Sequence, residues 1–124
     1  MPTPIYYPLT LTILNFQKVG SFDISIPQSD NGENLIFQIY DQNNNPVNCT
    51  VYTVALTIAN NWNAGYSNTG SVAWTTQGLG IFTYTPSTTD FTTKGVYTVT
   101  ASITESGTKN AIPTEPYGLV LQIY

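Results

Sequence analysis

Groups able to do covalent or metal chemistry are scarce in this chain. It has no histidine, no arginine and a single cysteine, Cys49. Without imidazole there is no Ser–His or Cys–His pair to activate a nucleophile, no His-ligated metal and no switch near neutral pH. One cysteine gives neither an intrachain disulfide nor a cysteine zinc site. At the entry of an apolar strand Cys49 reads as a small buried hydrophobe. The seven carboxylates offer little more. Asp30 and Glu33 share a turn, where exposed loop carboxylates face solvent and do not form an acid/base pair. Asp41-x-Asn43-x-Asn45 opens like a calcium loop, but Pro46 and Tyr52 stand where that loop needs Gly and Glu, so it reads as a hairpin turn. The sequence therefore predicts no catalytic set, no cofactor and no metal.

Binding chemistry is better represented. Trp62 and Tyr66 fall in the long polar stretch Asn60–Gly70, where loop aromatics mark contacts with a protein or a glycan. Trp74 falls in a strand pattern and is assigned to the core. Asn48-Cys49-Thr50 matches the N-glycosylation sequon, which makes Asn48 a candidate modification site. Three lysines, Lys18, Lys94 and Lys109, form no phosphate-neutralising patch, so direct nucleic-acid binding is not expected. No apolar run reaches the roughly 18 residues of a membrane span. Met1-Pro2-Thr3-Pro4 lacks the basic and apolar regions of a secretory leader, and none is expected.

Strands must position these residues. Period-2 alternation recurs along the chain, and no helical period does. Strands are predicted at Leu9–Ile13, Phe22–Ile26, Leu35–Tyr40, Val51–Ile58, Ser71–Thr75, Gly80–Thr85, Val96–Thr104 and Leu119–Tyr124. The denser apolar run Leu35–Tyr40 suits a central strand, and the twenty threonines suit solvated sheet faces. Asx, Gly and Pro turns separate the runs at Ser29–Gly32, Asp41–Pro46, Gln77–Gly80 and Ser106-Gly107. The expected architecture is all-β: one antiparallel β-sandwich of seven or eight strands over 9–124, Ig-like or jelly-roll in topology, preceded by an extended Pro-rich arm over 1–8. At 124 residues such a domain buries about two-thirds of its unfolded surface. Charged residues make up 8% of the chain, against about 25% in ordinary domains.

The segment Tyr84–Val99 carries the most specific pattern. A strand ends at Pro86, a loop holding Asp90 follows, and Gly95 turns into a strand whose first inward residue is Tyr97. A buried tyrosine at such a corner needs its hydroxyl paired, the corner backbone offers acceptors, and Asp90 can cap loop amides. Asp90, Gly95 and Tyr97 are therefore read as a structural corner.

Taken in order, Asp30-Asn31-Gly32, Leu35–Asp41, Asn45-Pro46-Val47, Val51–Ile58, Gly80–Pro86, Asp90, Gly95-Val96-Tyr97 and the terminal strand resemble the Ig-like N-terminal domain of phage baseplate upper proteins, over roughly Phe22 to Tyr124. The resemblance implies a non-catalytic virion component that docks other tail proteins. The expected function is thus a viral structural protein in a tail or baseplate, or in a capsid or vertex. It would assemble in the host cytoplasm through contacts with other virion proteins and with copies of itself. A terminal edge strand at Leu119–Tyr124 favours such assembly. The second expectation is a carbohydrate- or surface-binding module using Trp62 and Tyr66.

Overall fold

A computed structural model describes residues 9–60, 66–105, 108–112 and 118–124, with the backbone alone given for 105 and 108–112. The arm over 1–8, Trp62 and the Ser106-Gly107 turn lie outside the described residues. Among the described residues nine strands form: β1 (Thr10–Ile13), β2 (Ile24–Ile26), β3 (Leu35–Tyr40), β4 (Thr53–Asn60), β5 (Ser71–Thr76), β6 (Ile81–Thr85), β7 (Gly95–Glu105), β8 (Thr108–Ile112) and β9 (Leu119–Ile123). One sheet runs β1-β3-β6-β5. The other runs β2-β9-β7-β4, with β8 pairing the far half of β7. All pairings are antiparallel except that of β2 with β9.

This order makes the sandwich Ig-like and sets the jelly-roll alternative aside. The first strand is split between the sheets, β1 pairing β3 in one and β2 lying parallel to the last strand in the other. β8 was not among the predicted strands. Its sequence, TKNAI, has no apolar alternation, and the structure forms it by register alone, Ala101 opposite Ile112 through Glu105 opposite Thr108.

Alternation fixes which faces meet. Leu35, Phe37 and Ile39 of β3, Phe82 and Tyr84 of β6, Leu56 and Ile58 of β4, Tyr97, Val99 and Ile103 of β7 and Leu121 of β9 point inward and are buried. Phe37 stacks on Phe82 at a centroid distance of 5.2 Å, and Trp74 meets the same ring edge-on at 5.8 Å. The indole N–H of Trp74 donates to the Tyr52 carbonyl at 3.1 Å, which satisfies its polar atom inside the sandwich. Outward positions of the strands carry mainly Thr, Ser and Ala, with partly exposed Ile36, Tyr40, Ile81, Val96 and Val120 among them. Of all the strand residues, only Glu105 and Lys109 are ionic. No helix among the described residues is long and apolar enough to cross a membrane.

Phe82 touches both other large rings, so its removal opens a cavity the sheets cannot close. Phe82→Ala is expected to lower the unfolding free energy by about 3–5 kcal/mol in a urea titration.

Candidate functional site

The polar chemistry of the sandwich gathers at one end, around the chain that crosses from β6 to β7. Asp90 is 1% exposed. One of its carboxylate oxygens accepts the Thr69 N–H at 3.0 Å. The other accepts the Ser87 N–H at 3.1 Å and the hydroxyl of Tyr84. A buried carboxylate costs several kcal/mol unless donors replace its water, and here three do. The Tyr84 hydroxyl in turn accepts the Gly70 N–H at 2.9 Å and the Asn68 amide at 3.4 Å. Burial, and next its bond to Asp90, push the Tyr84 phenol up to about 12. Gly70 is required by this contact. A Cβ there would come within 2.3 Å of the Thr85 carbonyl oxygen and 2.6 Å of the Tyr84 hydroxyl.

Asn68 carries the network onto the opposite sheet. Its Oδ1 accepts the Ile58 N–H at 3.1 Å and its amide donates to the Leu56 carbonyl at 3.2 Å, so one side chain occupies the free edge of β4 as a neighbouring strand would. Above it, the hydroxyls of Thr69, Ser87 and Thr89 hydrogen-bond one another.

Tyr97 stands at the start of β7, two residues after Gly95. Its ring is buried, and its hydroxyl donates to the Thr93 carbonyl four residues upstream and pairs with the Asn60 side chain. This is the tyrosine corner of Ig-like sandwiches. Gly95 has φ +151°, a backbone angle that favours glycine, and Phe91 holds φ +62° with a fully buried ring. A non-Gly residue is kept in that region only where its surroundings over-determine it, and Asp90 beside it provides the bonds that do so.

Tyr66 is half-buried. Instead of standing in an exposed loop it packs its ring edge-on against Tyr97, with a centroid distance of 5.1 Å. Its hydroxyl is buried without a hydrogen bond of good geometry. Loss of solvent first, and the nearby Asp90 charge second, hold its proton well above the ordinary phenol range. The apolar alternation that would have flagged this packing is missing from the loop sequence.

No family model and no curated protein matches the chain. Among solved structures, the crystal structure of the Lin-41 filamin domain is similar in fold, with a TM-score of 0.48 at 13% identity over 96% of this chain and 98% of that one.

The remaining candidates fall apart in space. Asn48 is exposed between buried Val47 and Cys49, and its Oδ1 accepts the Thr50 N–H at 3.1 Å. Burial pushes the Cys49 thiol up to about 11, away from the thiolate a nucleophile needs. Asp41 spends one oxygen on its own turn, accepting the N–H groups of Asn43 and Asn45 at 2.8 and 3.0 Å. Among the described residues no cluster of His, Cys, Asp or Glu could hold a metal ion. Both Asp90 oxygens are taken by the protein's own donors, so this carboxylate, the one buried among the described residues, acts on the fold.

Asp90→Ala strands two backbone amides and the Tyr84 hydroxyl. It is expected to destabilise the protein by at least about 3 kcal/mol in denaturant titration, while Thr89→Ala, at the solvent side of the hydroxyl cluster, changes stability by less than about 1 kcal/mol.

Proposed function

We propose that this chain is a non-enzymatic structural subunit of a virus particle, in its tail and baseplate or its capsid and vertices, working through contacts with other virion proteins and with its own copies. The observation that supports this best is the composition of the strand faces. Outside Glu105 and Lys109 every strand residue is uncharged, and the outer faces offer mainly Thr, Ser and Ala with partly exposed Ile36, Tyr40, Ile81, Val96 and Val120. Depletion of charge is the mark of buried interface cores, because ions there lose water they cannot fully replace. A face of neutral hydroxyls and methyls packs against protein at small desolvation cost, whereas enzymes concentrate unsatisfied, perturbed groups in a cleft. The viral setting rests on the resemblance of the turn and corner sequence to phage baseplate domains. The reading involves no cofactor and no direct contact with nucleic acid.

Mass spectrometry of purified particles from cells that produce this chain tests the reading. Its peptides are expected at a fixed ratio to those of the other virion proteins. Recovery of the chain only in the soluble fraction, with particles free of it, would contradict the proposal.

A further inference from the structure

The edges of the two sheets are closed unequally. Asn68 bonds the middle of β4's edge, and the Trp74 and Gln77 side chains take the Tyr52 carbonyl just before that strand. On the opposite side, Leu11 of β1 and Ile24 and Ile26 of β2 are almost without exposure. β8 carries Lys109, a charge of the kind that blunts an edge. β5 has none of these protections. It is uncharged, lacks proline, and follows only β6 in its sheet.

Register shows which of its backbone groups are free. The Ile39 N–H donates to the Gly80 carbonyl, so β3 bonds the even-numbered side of the β6 chain, and the odd positions of β6 turn to β5. Ser71 and Ala73 face Thr85 and Thr83 in those pairs. Val72 and Trp74 therefore direct their N–H and C=O groups outward, where no described residue bonds them.

We infer that β5 pairs antiparallel with β5 of a second copy of this chain, about a two-fold axis at Ala73. The strand is complementary to itself in that register. Val72 of each copy exchanges reciprocal N–H···O=C bonds with Trp74 of the other, which occupies the unpaired groups on both sides. Ala73 then faces Ala73 in the closer, non-hydrogen-bonded pair, about 4.5 Å between Cα atoms, where a small side chain fits best. Ser71 falls opposite Thr75, so exposed hydroxyls meet on the outer face. No charge opposes itself across the axis, and the two four-stranded sheets become one continuous sheet. The bulge between Trp74 and Thr76 ends the pairing. An edge contact of this extent is small, so the dimer is weak and is read at high concentration.

This pairing rests on the assembly reading and supplies one of its surfaces. Analytical ultracentrifugation at millimolar concentration tests it with the wild-type chain and Ala73→Glu, together with mild oxidation of Ala73→Cys and of Thr57→Cys, which lies on the outer face of the other sheet. The wild type is expected to dimerise and Ala73→Glu to remain monomeric, with circular dichroism and melting unchanged. Ala73→Cys is expected to form a disulfide-linked dimer, since the pair falls within disulfide reach, and Thr57→Cys is not. The buried Cys49 does not compete. A monomeric wild type, an Ala73→Glu variant that dimerises as well as the wild type, or equal cross-linking at Thr57 would each overturn the β5 pairing. None of these results removes the chain from particles, so the two proposals fail separately.

Discussion

A carboxylate can be taken from water only where donors stand ready to replace its hydration, and in this protein Asp90 imposes that condition on three separate stretches of chain. Its oxygens bind Thr69 before β5, Ser87 after β6, and Tyr84 within β6. Tyr84 then binds Gly70 and Asn68, and Asn68 binds β4 in the other sheet. One charge thereby fixes the distance between the two layers at this end of the sandwich. The need for glycine at position 70 follows from the close approach of this network, where a Cβ would meet the Tyr84 hydroxyl. Bonds in such a chain reinforce one another, and losing one leaves its neighbours buried and unmet.

Much of the fold was legible because alternation has one cause, the burial of one sheet face. LIFQIY at 35–40 and the alternating run at 97–104 read directly as strands, and the Gly95-Val96-Tyr97 pattern read as a corner because a buried tyrosine hydroxyl needs a nearby acceptor. Other parts depend on contacts far apart in sequence. Asn68 looks like any polar loop residue until β4's edge is beside it. Tyr66 sits among Gly, Ser and Asn, and only the tertiary position of Tyr97 turns its ring inward. β8 follows its neighbour's register and has little pattern of its own. The role of Asp90 was visible as a cap for local amides, but its reach to Thr69, 21 residues earlier, was not.

The scarcity of charge has a structural counterpart. Ionic residues are confined almost entirely to loops and strand ends, and the faces of the sheets rely on neutral hydrogen bonds. Such faces solve desolvation cheaply but give up the usual defence against edge-to-edge pairing, which is charge. The molecule closes β4 with an amide side chain and leaves β5 with its backbone groups directed outward.

The central claim is that Asp90 holds the end of the sandwich as one unit. Amide hydrogen exchange followed by NMR at the Thr69 and Ser87 N–H groups tests it most directly. Both lie in loops, where amides ordinarily exchange within local openings. The account predicts that these amides exchange as slowly as those of the core strands, and that both lose protection together in Asp90→Asn. Fast exchange at Thr69 and Ser87 in the wild-type protein, at rates typical of exposed loops, would contradict it.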